Sequence, residues 1–284
     1  MTVLSGQFLI MKRNTYADWA KRVNILHDLL IKRVNTPNLS DSVRKWIFSY
    51  INLLESRYYI SSNIDDLLWF RKNGISRNDR ILDFGTGGGY IAYLIANVTK
   101  KLVAYEYKGN WKDQRFTNLT YSSAFSFAYR AVNEIEPAVQ FKFYQKLPLN
   151  EKTESFDGII LYAVIEHIDF KVKDEVLKEL YRILKPNGLL YIAKLPRLYS
   201  YQEYISRKLK IVSHSDLYTK DKISKLLNRH SFKIMKIEQT GLLVNTNVKI
   251  TNRLFPIFYL LERVFNFFPI NFFAHDYRLI AKKI

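Results

Sequence analysis

No cysteine occurs among the 284 residues. That excludes disulfides, thiolate zinc sites, iron–sulfur clusters and a cysteine nucleophile, and fits a reducing, cytoplasmic setting. Long apolar runs are also missing. Arg253, Glu262 and Arg263 interrupt the greasiest stretch before it reaches the ~20 residues a membrane span needs. Met1 to Met11 has a short apolar patch with no basic residues ahead of it and no small-residue cleavage site, so neither a leader peptide nor a span is expected.

Acidic side chains are the scarce charge: 26 Asp and Glu stand against 44 Lys and Arg, a formal net charge of +18. The imbalance is greatest in residues 196–284, where 16 basic residues face 6 acidic ones. Such a surface suits an anionic partner, either RNA or an anionic membrane met peripherally, unless it simply reflects a composition rich in Lys, Asn and Ile. What the chain does have is 48% hydrophobic and 15% aromatic residues, enough for a sizeable core.

Helical spacing dominates residues 1–75, where Trp19, Val23, Leu26, Leu29 and Leu30 recur at steps of three and four, and this segment reads as a helical cap. Ser62 or Asn63 is expected to start its last helix, with Asp65 and Asp66 in the first turn and Gly74 just past the end. From residue 76 onward short apolar strands alternate with helices: strands at 80–84, 102–105, 139–144, 156–162, 189–193, 232–237 and 277–283, and helices at 90–98, 122–136, 172–184, 219–229 and 253–267. That alternation predicts a doubly wound, mostly parallel α/β sheet over 76–284. An aromatic insertion at about 245–275 precedes the last strand, including Phe255, Phe258, Phe265, Phe267, Phe268, Phe272 and Phe273. It reads as a hydrophobic cover, as an apolar lid for a lipid chain, or as a stacking surface for bases.

The sharpest local signal is Asp83-Phe84-Gly85-Thr86-Gly87-Gly88-Gly89 after the first strand. Glycines let the backbone turn tightly and approach a ligand. A dinucleotide fingerprint needs a third glycine at the place of Tyr90, and a P-loop needs a Gly-Lys-Ser/Thr close, so both fail. An acid beside the turn favours a ligand with positive charge. Glu106, at the end of the next strand, is placed to accept hydrogen bonds from ribose hydroxyls. Together they describe a pocket for a cationic nucleoside.

With Phe156 to Tyr162, Val164-Ile165-Glu166-His167, and Leu184-Lys185-Pro186-Asn187-Gly188, these motifs follow the order of class I S-adenosylmethionine-dependent methyltransferases. The chain resembles that superfamily over about residues 75–240, nearest the branch of ubiquinone- and menaquinone-biosynthesis-like enzymes. The resemblance implies a Rossmann-like methyltransferase fold and S-adenosyl-L-methionine as cofactor, with S-adenosyl-L-homocysteine as product. It implies that Gly85, Thr86, Gly87 and Gly89 pass under the methionine end, that Asp83 positions the ammonium and that Glu106 holds the ribose. Tyr107, Gln145 and Leu147 are then expected around the adenine, and Tyr162 ends the fourth strand beside the cofactor.

Methyl transfer from a sulfonium is a direct displacement, so positioning carries most of the catalysis. The acceptor is expected to be a small molecule or a lipid- or glycan-linked intermediate methylated on oxygen. The alternatives are RNA methylation and a non-catalytic cofactor-binding module. For the base, Glu166-His167 after the fourth strand and His214 ahead of a later helix are the candidates. Glu166-His167 also reads as a helix start, with the acid favouring the dipole and the histidine merely packing. His27, His230 and His275 have no supporting constellation in the sequence.

Certain reactions are disfavoured. No Asn/Asp-Pro-Pro-Tyr/Phe motif follows the fourth strand, which speaks against exocyclic amine methylation. The missing cysteine removes covalent pyrimidine methylation. Lys194 resembles a lysine of ribose 2′-O-methyltransferases, but the aspartate that should accompany it is absent. Some quinone-branch relatives bind a divalent metal through a carboxylate three residues before the Glu; that position is Ala163, so no metal is expected.

Overall fold

The computed structural model describes residues 3–35, 39–108, 121–209, 214, 216–241, 248–265 and 274–284. Three helices come first: α1 (Val3–Val34), α2 (Asp41–Leu54) and α3 (Arg57–Lys72). Along α1, Trp19, Val23, Leu26, Leu30 and Val34 are fully buried on one stripe, each contributing roughly 1.5–3 kcal/mol of burial. Ser40 and Ser56 cap α2 and α3 by accepting from the backbone N–H of Val43 and Tyr59.

Ser62 and Asn63, expected as caps, lie inside α3 instead. Their polar groups face tertiary partners in the cavity described below, so they do not compete with the helical backbone. Gly74 does follow the helix end, with φ +139°.

The remaining elements are β1 (Arg80–Phe84), α4 (Tyr90–Ile95), β2 (Lys101–Tyr107), α5 (Tyr121–Ile135), β3 (Gln140–Tyr144), β4 (Phe156–Tyr162), α6 (Phe170–Ile183), β5 (Leu184–Pro196), α7 (Tyr201–Lys208), α8 (Lys220–Arg229), β6 (Phe232–Thr240), α9 (Val248–Arg253), α10 (Phe255–Phe265) and β7 (Asp276–Lys283). The strands form one seven-stranded sheet in the order β3-β2-β1-β4-β5-β7-β6. β1 to β5 pair in parallel, while β7 runs antiparallel to both β5 and β6. This is the doubly wound, mostly parallel α/β architecture. β5 reaches back to Leu184, well before the expected start at Leu189.

Strand alternation divides the core. Ile81, Leu102, Ala104 and Ile160 join the cap helices in one cluster, while Leu82, Phe84, Val103, Ile159 and Leu161 join α6 and α8 in the other. The cap therefore shares a continuous core with one face of the sheet. Between β1 and β4 the strand order reverses, and in such sheets the crevice at the carboxyl ends there is where ligands bind. Of the aromatic insertion, Phe267, Phe268, Phe272 and Phe273 lie outside the described residues, as do the side chains of Phe258 and Phe265.

Candidate active site

Beyond the tip of β1 the chain turns on three glycines with positive φ: Gly85 (+76°), Gly87 (+55°) and Gly89 (+79°). They differ in what a side chain would meet. A Cβ on Gly85 would stand 2.7 Å from Val164, and one on Gly89 would stand 2.8 Å from Phe141. Gly87 is different: nothing lies within 4 Å of its Cβ position, so its open flank faces the cavity it helps to line. The Thr86 hydroxyl donates to Asp83 at 2.7 Å, folding the turn back over the strand end.

Glu106, at the tip of β2, accepts from the backbone N–H of Gly87 at 2.6 Å and of Tyr107 at 2.9 Å. Asp83 and Glu106 are 1% and 4% exposed. Burial pushes both carboxyls up to about 7, against the lowering pull of their hydrogen bonds. A cationic ligand at this turn would favour the ionised form of each. Donor set, open flank and charge all fit an adenosyl sulfonium bearing an ammonium.

Among the residues expected near adenine, Tyr107 is partly exposed and its ring centroid lies 5.4 Å from that of Tyr144. Gln145 is exposed. Leu147 packs at the edge of the second core cluster. Tyr107 ends β2, and Gln145 and Leu147 follow the end of β3, beside Glu106 through the β2–β3 pairing of Tyr107 with Tyr144.

A cavity of about 370 Å³ lies between the cap and the strand tips. Tyr50, Tyr58 and Tyr59 from the cap line it, together with Tyr90, Tyr162 and the turn from Gly85 to Gly88. Tyr50 donates its hydroxyl to the Gly88 carbonyl at 3.3 Å, and a Cβ on Gly88 would stand 2.9 Å from the Tyr50 ring. The cap thus closes directly onto the glycine turn.

The Tyr162 hydroxyl is 2.6 Å from Asn63 Oδ1 and 3.0 Å from Asp66 Oδ2. Asp66, buried at 2% exposure, also meets Lys194 Nζ at 3.0 Å and Arg278 at 3.3 Å. Ala163 and Lys194, both on the cavity wall, hold left-handed backbone at φ +54° and +55°. Each such residue costs about 1–3 kcal/mol, a strain that gathers at functional sites.

Sequence reasoning left His275 unassigned, but the fold gives it a constellation. Its backbone N–H donates to Gly241, and its carbonyl accepts from Arg197, which fixes it between the ends of β6 and β5. Its ring bonds Asp276 through Nδ1 and stands 3.1 Å from Glu203 through Nε2. The same Glu203 oxygen lies 2.6 Å from His214 Nδ1. Burial opposes the charge on His275, yet Asp276 and Glu203 overcome it and push the imidazole up to about 9.

His275 and Asp276 line the cavity; among the described residues, neither His167 nor His214 is part of that lining. The His214 ring stands between the other two, with centroids 5.7 Å from His167 and 5.8 Å from His275. Glu166 is 5% exposed and its oxygens have no hydrogen-bond partner among the described residues. Burial, with Asp276 and Asp216 nearby, raises it to about 8. Glu166 and His167 precede α6, which is capped by Asp169, so they stand in a turn and not at the helix start. His230 and His27 pair with Asp174 and Asp28 away from the cavity.

A family model described as a methyltransferase domain matches residues 54–237, more than half of the chain. The chain belongs to this methyltransferase family. It is an S-adenosylmethionine-dependent methyltransferase, and S-adenosyl-L-methionine is its cofactor. No curated protein matches it.

Solved structures place the fold. A methyltransferase of this cofactor class from Thermotoga maritima aligns with a TM-score of 0.55 at 16% identity, covering 84% of this chain and 97% of its own. One from Methanosarcina mazei aligns at 0.52 and 19% identity over 76% and 97%. One from Aquifex aeolicus aligns at 0.51 and 16% over 83% and 98%. At these identities the likeness is one of fold.

Proposed function

We propose that this methyltransferase acts on an oxygen of a small-molecule, lipid-linked or glycan-linked acceptor, in the cytoplasm or at a membrane surface, as a member of the quinone-biosynthesis-like branch. The observation that carries the acceptor reading is His275 on the cavity wall, with Asp276 and Glu203 bonded to its ring.

The turn from Gly85 to Gly89, with Thr86, would hold the methionine end, Asp83 the ammonium and Glu106 the ribose hydroxyls. Tyr107, Gln145 and Leu147 would border the adenine, and Tyr162 would support the cavity floor. When bound, the cofactor supplies a methyl group on a sulfonium, electrophilic enough for direct displacement. The cap tyrosines exclude water and hold the acceptor in line, an arrangement that can contribute ~7–11 kcal/mol.

A hydroxyl acceptor would meet the His275–Asp276 pair and pass its proton to the Asp276 carboxylate, which the charged His275 ring, held by Asp276 and Glu203, orients. General-base assistance of that kind is worth about two to four powers of ten. The test is product analysis with an isotopically labelled donor and fractionated cell extract. Label on an oxygen of a small or lipid-linked molecule is expected; label on nitrogen or in RNA contradicts the reading. His275→Gln should lower turnover by ~10²- to 10⁴-fold and leave donor affinity unchanged.

A further inference from the structure

The cluster behind His275 brings together a donor set that also suits a metal ion. Glu203 comes from the first turn of α7, His214 from the segment between α7 and α8, and His275 from the residue before β7. Their candidate ligand atoms all lie within 4.8 Å of one another. One carboxylate oxygen of Glu203 faces two ring nitrogens, His214 Nδ1 at 2.6 Å and His275 Nε2 at 3.1 Å.

We propose that Glu203, His214 and His275 form the binding site of one divalent transition-metal ion of the zinc class. Two imidazoles and a carboxylate are a set that zinc and its first-row neighbours take, whereas magnesium and calcium prefer oxygen alone. Bonds of ~2.0–2.2 Å place tetrahedral ligand atoms about 3.3 Å apart, so the two separations from the Glu203 oxygen, 2.6 Å and 3.1 Å, need to open by less than about 1 Å.

The surroundings are those of a ligand set. Asp276 bonds the remaining nitrogen of His275, the arrangement by which a carboxylate orients a metal-bound imidazole and fixes its tautomer. Ser200 caps α7 by accepting from the Glu203 N–H, and the His214 N–H donates to the second oxygen of Glu203 at 3.3 Å.

A second, independent observation points to a cation. Glu166 is buried, neither of its oxygens has a hydrogen-bond partner among the described residues, His167 Nε2 standing off at 3.7 Å, and one lies within 4.8 Å of a ring nitrogen of His214. A buried carboxylate with no hydrogen bond is costly, and a neighbouring divalent charge offsets that cost.

Three protein ligands leave a coordination position open, and His275 is part of the cavity wall. A metal there would polarise an acceptor hydroxyl and ease loss of its proton. That consequence rests on the oxygen-acceptor reading, whereas binding of the ion does not, and the two are measured separately.

The experiment strips the full-length protein with a chelator, titrates it with zinc(II) and counts bound metal by elemental analysis. Cobalt(II) absorption provides a second signal of imidazole and carboxylate ligation. One ion per chain is expected, with affinity at least about tenfold weaker in His275→Gln and Glu203→Gln, the latter isosteric, and unchanged in His230→Gln, whose ring pairs with Asp174 away from the cluster. Absence of stoichiometric zinc in the wild type, or undiminished binding in both ligand variants, overturns the assignment. Binding lost in His167→Gln but kept in His275→Gln overturns it too, because the ion would then belong to Glu166, His167 and His214. Circular dichroism of each variant separates loss of ligation from loss of fold.

Discussion

The backbone N–H of Gly87 donates to the Glu106 carboxylate at 2.6 Å, joining the turn after β1 to the tip of β2. Only a glycine-like backbone reaches that position without strain, since φ there is +55°. The bond turns the carboxylate toward the turn and leaves the opposite flank of Gly87 free. Backbone geometry and charge placement therefore depend on one another at this corner.

Binding of the donor should depend on pH. Burial holds both Asp83 and Glu106 at about 7, and a cationic ligand favours their ionised forms. As pH falls through 7 the acids take up protons that binding must displace, so affinity drops by up to about tenfold per unit for each group. Calorimetry between about pH 6 and pH 8 checks this, and Asp83→Asn should flatten the profile.

The same shifts fix the sign for stability. Each folded-state value is raised, so between about pH 4 and pH 7 the folded chain binds more protons than the unfolded one. These two groups thus make the cofactor-free protein less stable as pH rises across that window, and bound donor should suppress the loss. Melting curves at both ends of the window, with and without S-adenosyl-L-methionine, read this directly.

Two neighbouring glycines should fail in different ways. Gly85→Ala drives a Cβ to 2.7 Å from Val164, so unfolding stability should fall by about 1–3 kcal/mol. Gly87→Arg meets no such wall; it should keep the fold at a cost of about 1–2 kcal/mol while weakening donor binding by at least ~10-fold. Denaturant titration and calorimetry of the two variants separate packing from ligand space.

Asp66 is expected to hold the cap to the sheet. Replacing it with Ala leaves Lys194 and Arg278 without their shared carboxylate, which should cost about 3–5 kcal/mol. Tyr162→Phe removes only a hydroxyl and should cost about 1 kcal/mol. Equal losses in urea titrations would contradict this ranking.

The parallel sheet and the glycine turn were legible because their signals are local. Apolar strands alternate with helices, and Asp83 and Glu106 sit at strand ends beside recognisable turns. The cluster of Glu203, His214 and His275 was not legible, because 72 residues separate its ends. Only the return of β7 between β5 and β6 brings them together. The start of α3 was misplaced for a related reason. Asn63 and Asp66 look like helix-start residues until their partners Tyr162, Lys194 and Arg278 are in view.

The most direct test is a crystal structure of the protein with S-adenosylhomocysteine. The homocysteine should lie along the turn from Gly85 to Gly89, the ribose hydroxyls on Glu106, and the sulfur toward the cavity bounded by Tyr59, Tyr162 and His275. Product bound elsewhere, or with its sulfur turned away from that cavity, would contradict the account.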